Sequence, residues 1–271
     1  MTDRLPLRVV KVGGSLFGFA PLPQSLRRWL AAQAPAQNIL IAGGGALADA
    51  VRHADDCFQL GDAAAHDLAV RAMSVSARVL ATILPEATLV EDVRDAVCGS
   101  RLAGCGLRDA ACGLPASGRS DGQGATGVSP VQGATAGLSG STQSSVPSLA
   151  LRASIEGPSA TDTRHNAGAP IILDVESFLR DVEPAMPGEA LPRNWGVTSD
   201  SIAARVAVAL DADELVLLKS RLPSGTLDAL VAGRYVDRYF PRAVRPLGSV
   251  RCVDLRTATF PQTAIVTKPI T

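Results

Sequence analysis

Two short apolar runs, each closed by glycines, constrain this chain more than any other feature. The first is Val9-Val10-Lys11-Val12-Gly13-Gly14-Ser15 and the second is Ile39-Leu40-Ile41-Ala42-Gly43-Gly44-Gly45. Short, largely β-branched runs bounded by turn residues read as buried strands. Between them, residues 23–33 place Leu26, Trp29 and Leu30 on one helical face. After the second run, residues 46–54 predict a helix that starts directly on the glycines. Strand, helix, strand, helix in this order predicts parallel βαβ units.

The remaining elements follow the same logic. Residues 63–84 predict the longest helix, with Asp62 as N-cap and Pro85 as its end. A short strand at 88–90 precedes a short helix or loop at 91–97. Later come a strand at 171–175, a short helical stretch at 175–181 and a proline-bearing loop at 184–192. Residues 199–210 predict a helix with apolar positions 202, 203, 206, 209 and 210. A strand at 214–219, a short helix at 235–242 and closing strands at 249–255 and 262–266 complete the pattern. Residues 113–168 break it. They are dominated by Gly, Ser, Ala, Thr and Pro, and Gln123-Gly-Ala-Thr126 recurs as Gln132-Gly-Ala-Thr135. Such a segment cannot bury enough apolar surface to offset its chain entropy. It predicts a disordered insertion between 1–112 and 169–271.

Composition removes several function classes. The formal net charge is zero with a pI near 6.8, which disfavours a general nucleic-acid binder. No apolar run approaches the roughly 18–20 residues of a membrane span, and residues 1–7 carry no secretory pattern, so a cytoplasmic chain is expected. The five cysteines form no C-x-x-C pair, and reduced thiols are expected rather than a metal or redox site. Of 26 Lys plus Arg residues, the lysines are Lys11, Lys219 and Lys268. Arginine therefore does most of the surface work. Lys11 and Lys219 both end apolar strand-like runs, where ligands meet open α/β sheets.

Glycines after a strand let the backbone approach an anion, and the following amides can face phosphate oxygens. Neither loop is a Walker motif or a Rossmann fingerprint. A third loop, Trp195-Gly196-Val197-Thr198-Ser199-Asp200-Ser201, opens the 199–210 helix. Asp200 could also be no more than a helix cap there, and His66 no more than a surface or interface histidine.

Lys11-Val-Gly-Gly-Ser15, Ala42-Gly-Gly-Gly45 and Val197-Thr-Ser-Asp-Ser-Ile-Ala-Ala204 together resemble the amino acid kinase family. The resemblance covers nearly all of the chain outside 113–168. It implies a three-layer αβα sandwich with a mostly parallel central sheet, with the acceptor side in 1–112 and the nucleotide side in 169–271. It also implies transfer of the ATP γ-phosphoryl to a carboxylate or phosphate oxygen, with ATP and Mg²⁺ as cofactors. Carried over by residue, Lys11 and Asp200 are catalytic. Lys11, Gly13, Gly14, Ser15 and Lys219 hold ATP phosphates. Gly43, Gly44, Gly45, Asp62, His66, Thr198 and Ser199 face the acceptor. No metal ligand is assigned. The family's later Thr-Asp-x-x-Gly and Gly-Gly-Met-x-x-Lys segments are missing, and Lys219 stands where part of the nucleotide site would be.

The segments around His66, Asp200 and Tyr235-Val-Asp-Arg-Tyr-Phe240 are similar to the branch containing the methanofuran-pathway kinase, which acts on 5-(aminomethyl)-3-furanmethanol phosphate. A uridylate-kinase-like enzyme and a non-catalytic nucleotide-binding or storage protein are the alternatives. A small-molecule acceptor, no membrane partner and a homo-oligomer are expected.

Overall fold

The computed structural model describes residues 5–97 and 168–265. Its centre is a seven-stranded sheet in the order β3-β4-β2-β1-β5-β6-β7. The strands are β1 (Leu7–Val12), β2 (Gln37–Ala42), β3 (Thr88–Val90), β4 (Ile171–Leu173), β5 (Glu214–Lys219), β6 (Val250–Asp254) and β7 (Gln262–Ala264). All neighbours are parallel except β6 and β7. The helices are α1 (Leu22–Ala31), α2 (Gly45–Phe58), α3 (Asp62–Ile83), α4 (Ser199–Ala209), α5 (Leu227–Ala232) and α6 (Phe240–Ala243).

Side-chain alternation divides the sheet between two apolar cores. Val10, Val12, Leu40, Ala42, Val216 and Leu218 meet Leu22, Leu26 and Trp29 of α1 and Leu80 of α3 on one face. Val9, Ile39, Ile41, Leu215 and Leu217 meet Ile202, Ala203, Val206 and Ala207 of α4 on the other, with Phe178 and Phe240. Parallel strands buried on both faces explain why their sequences are continuous apolar runs. The result is a three-layer αβα sandwich with a mostly parallel sheet, as expected.

Several local expectations need correction. Gly61, at φ +85°, caps α3, and Asp62 is its first residue. That backbone conformation suits glycine, while the Asp62 carboxylate remains in the first turn, where it complements the helix dipole. Helix α2 runs on to Phe58. The strand expected at 171–175 ends at Leu173, and residues 178–182 form a π turn. Gly14–Gly18 forms a short 3-10 turn after β1. The helix expected at 235–242 is confined to Phe240–Ala243, and α5 was not anticipated. The closing strands are Val250–Asp254 and Gln262–Ala264, although Ser249, Leu255 and Ile265 still make ladder hydrogen bonds beyond those bounds. Residues 113–167, with Cys98, Cys105, Cys112 and His165, lie outside the described residues. Cys57 and Cys252 are free thiols.

The topology explains the site. Helix α4 is followed by a tight connection into β5, so it runs back along the sheet. Its first turn must lie at the carboxyl ends of the strands, next to the last residues of β1 and β5. This is where open α/β sheets present ligands.

Candidate active site

Lys11 and Lys219 lie at or near the ends of adjacent parallel strands and point to the same sheet face as Val9 and Leu217. Register pairs Lys11 with Leu217, which puts Lys219 just beyond it. Asp200, in the first turn of α4, reaches between them. Lys11 Nζ lies 2.9 Å from Asp200 Oδ1, and Lys219 Nζ donates to Asp200 Oδ2 at 2.7 Å. Lys219 Nζ also donates to the Tyr235 carbonyl at 2.7 Å and sits 4.9 Å from the Tyr235 ring centre. Lys11 and Asp200 are each 4% exposed. The Lys11 contact is off the hydrogen-bonding direction, and Asp200 Oδ1 has no hydrogen-bond partner among the described residues.

The cap of α4 is therefore Thr198, whose hydroxyl accepts from the Asp200 amide at 3.4 Å. The Asp200 side chain is left for the lysines. Burial by itself would raise the Asp200 pKa. The charges of Lys11 and Lys219, together with the Lys219 hydrogen bond, outweigh burial and bring it down to about 2. Burial lowers the Lys11 pKa, against the opposing pull of Asp200. Two ammoniums thus share one carboxylate, and the cluster has excess positive charge.

The two glycine loops abut beside this cluster. A Cβ on Gly14 would come within 2.6 Å of Gly45 Cα, and one on Gly45 within 2.6 Å of Gly14 O, so any side chain would push the loops apart. Gly45 also has φ +54°. Gly13 donates its amide to Leu218 O at 2.8 Å and Gly43 donates to Val12 O at 2.9 Å, which extends the ladders. The Gly14 and Gly44 amides have no acceptor among the described residues, and they lie next to the N-terminus of α2. That arrangement suits an anion. Exposed Ser15 donates to Ser220 Oγ at 3.2 Å, tying the first glycine loop to the turn after β5.

A cavity of about 150 Å³ opens against the second glycine loop. It is lined by Gly44, Gly45, His66, Met73, Trp195, Thr198 and Ser199, with Arg52 on its wall. The structure brings Gly44, Gly45, His66, Thr198 and Ser199 together there. Gly43 lies behind them against Ser199 Oγ. Asp62 is exposed at the start of α3 and lines neither this cavity nor its neighbour. His66 is buried, which lowers its pKa despite opposing interactions with the Asn194 backbone and Asp67. It also lines an adjoining cavity of about 560 Å³ with Arg71, Arg180 and Arg193.

Two contributors were not anticipated. Trp195 is fixed by Nε1 donating to Asp55 Oδ2 at 2.7 Å, with the Arg52 guanidinium 4.5 Å from its ring. Asp237 accepts hydrogen bonds from both Thr198 and Ser201. Trp195 opens the third loop singled out in the sequence, and Asp237 lies in the Tyr235–Phe240 segment, but the sequence alone assigns neither a role in the site.

No family model matches the chain, and no curated protein matches it. Similar solved structures include uridylate kinase from Archaeoglobus fulgidus, at 11% identity and TM-score 0.41 over 83% of this chain and 68% of that one. Aspartate kinase from Synechocystis is 13% identical with TM-score 0.49, over 97% of this chain and 40% of that one. UMP kinase from Bacillus anthracis is 9% identical with TM-score 0.48, over 94% and 90%. These are likenesses of chain trace at low identity. The case for chemistry rests on the residues.

The donor set does not form a resident metal site. Among the described residues no group of three or more His, Cys, Asp or Glu is placed to hold a metal ion. Both Asp200 oxygens already face ammonium groups. Among those residues, too, no helix is long and apolar enough to cross a membrane.

Proposed function

We propose that this chain is an ATP-dependent kinase whose acceptor is a small molecule bearing a phosphate or carboxylate. The observation that carries this reading is the buried Lys11–Asp200–Lys219 cluster, with its surplus positive charge, beside two abutting glycine loops and a small cavity. Phosphoryl transfer asks for charge stabilisation and in-line placement more than for covalent help. Lys11 would meet the transferring phosphoryl, and Asp200 would hold Lys11 and Lys219 at a fixed spacing. The amides of Gly14 and Gly44 would receive phosphate oxygens. Magnesium would arrive on the nucleotide phosphates, because the described side chains provide no cage for it.

The same cluster favours an anionic acceptor. Asp200 is held as a carboxylate by two ammoniums, so it is a poor proton acceptor. A phosphate or carboxylate oxygen attacks without surrendering a proton, whereas a hydroxyl needs a base. Within this class, 5-(aminomethyl)-3-furanmethanol phosphate is the acceptor we favour, giving its diphosphate in methanofuran-type cofactor synthesis. Support comes from the sequence segments at His66, Asp200 and Tyr235, and from the cavity's mix of an aromatic wall, apolar Met73 and Arg52.

The test is ADP release from Mg·ATP with aminomethylfuranmethanol phosphate, UMP, isopentenyl phosphate, aspartate and acetylglutamate as acceptors. Turnover with the furan phosphate is expected. Turnover confined to another anion would keep the kinase and change its substrate. ATP binding with no turnover on any of them would move the assignment to a nucleotide-binding or storage protein.

A further inference from the structure

One half-buried carboxylate joins the two chain segments that hold the lysines. Asp237 Oδ2 accepts from the Thr198 amide at 3.0 Å, the Thr198 hydroxyl at 2.8 Å and the Ser201 amide at 3.1 Å. Its Oδ1 accepts from the Ser201 hydroxyl, the Tyr239 amide at 3.0 Å and the Phe240 amide at 3.1 Å. Six donors converge on one carboxylate, well beyond the one or two a helix cap needs. The Thr198 and Ser201 donors belong to the start of α4, from which Asp200 projects. The Tyr239 and Phe240 donors fix the turn that follows Tyr235, whose carbonyl holds Lys219.

The charge count points the same way. Lys11 and Lys219 face Asp200 from β1 and β5, with Tyr235 and the Cys252 thiol of β6 nearby. Asp200 neutralises one ammonium, which leaves the other without a full counter-charge. Asp237 is the next carboxylate, and its field favours the charged form of Lys11. Burial alone pushes the other way. A second anion, held by six donors, offsets a small part of that push.

We propose that Asp237 is a positioning residue for the phosphoryl-transfer site, fixing Asp200 and the Tyr235 carbonyl against the two lysines. Its kinetic consequence rests on the kinase reading; its effect on Lys11 does not.

The experiment uses the full chain labelled with ¹⁵N and ¹³C lysine. Lys11, Lys219 and Lys268 are the lysines of the sequence, so side-chain nitrogen signals can be assigned by single Lys→Arg variants. In Asp237→Asn, Lys11 is expected to lose its proton at lower pH than in the parent protein. Asp237→Glu, which keeps the charge, is expected to restore titration toward the parent value. With an acceptor that turns over, kcat of Asp237→Asn falls on the order of 10- to 100-fold. KM for ATP stays within about threefold, and the alkaline limb of kcat moves to lower pH. Should Asp237→Asn fail to fold, Ser201→Ala, which removes one donor, serves instead. Its kcat is expected to fall at least twofold at constant KM for ATP.

Lys11 titration unchanged in a folded Asp237→Asn protein overturns the proposal, as does parent-like kcat in Ser201→Ala. If no acceptor in the panel turns over, the lysine titration alone decides, so failure of the kinase reading is separable from failure of the role given to Asp237.

Discussion

Helix α4 carries two buried ion clusters, and they differ in balance. Near its N-terminus, Asp200 faces Lys11 and Lys219, with two positive charges against one negative. Farther along, Arg205 donates to Glu183 Oε1 at 3.1 Å, one against one, and to the Pro187 carbonyl at 3.4 Å. Glu183 Oε1 also accepts from the Leu191 amide at 2.9 Å. The second cluster is balanced in charge and fastens the 183–191 loop to the helix, although Arg205 Nη2 has no hydrogen-bond partner among the described residues. The first is left positive at the carboxyl ends of the strands, beside the Gly14 and Gly44 amides and a cavity. A balanced buried pair is explained by the fold around it. An unbalanced one at a ligand-binding edge calls for an anion from outside.

This contrast breaks most sharply at the balanced pair. Arg205→Met leaves Glu183 buried without its partner and is expected to lower unfolding free energy by about 3–5 kcal/mol. Turnover per folded molecule should stay within about twofold. Denaturant melts and active-site titration would show it, and a large kcat loss in a protein of parent stability would erase the distinction. Lys11→Ala is the reverse case. Turnover should fall about 10²- to 10³-fold with the thermal midpoint kept or raised, because a buried charge has been removed. Equal turnover in that variant sinks the mechanism.

Acid sharpens the same comparison. The two lysines outweigh burial and hold the Asp200 pKa at about 2 in the folded chain, below the ordinary aspartate value of about 3.9. A carboxylate depressed on folding stabilises the native state above its unfolded pKa, and that contribution is lost as pH falls through the folded value. Stability should therefore decline between about pH 4 and pH 2, and Asp200→Asn should flatten that part of the profile. A profile as steep in the variant as in the parent would remove Asp200 from the account. Smaller still, Ser15→Ala loses an exposed hydroxyl contact with Ser220. It should change stability by no more than about 0.5 kcal/mol and raise KM for ATP only modestly. A tenfold rise would mean that Ser15 touches the nucleotide directly.

Much of the frame was legible beforehand because strand and helix periods are local. Residues 214–219 were bounded correctly, since Asp213 and Ser220 flank a continuous apolar run. Lys11 and Lys219 stood out because lysine is scarce. Helix α5 leaves little mark in the sequence because six residues hold less than two turns of periodicity. The cap of α3 was misplaced because Asp is a good cap by type, whereas Gly61 holds the position by its backbone conformation. Asp237 was invisible as an organiser. Its donors come from residues 198–201, far away in sequence, and no local pattern encodes them.

The sequence by itself determined the parallel α/β class, the order of the elements and the identity of the charged residues at strand ends. These follow from apolar period, glycine placement and composition, which act over a few residues at a time. Only the tertiary structure decided that Asp200 lies between both lysines rather than capping its helix, that the two glycine loops touch, and that Asp237 ties the arrangement together. Each of those depends on the register between β1 and β5 and on the path of α4 across the sheet, and such distances are set by packing of the whole core.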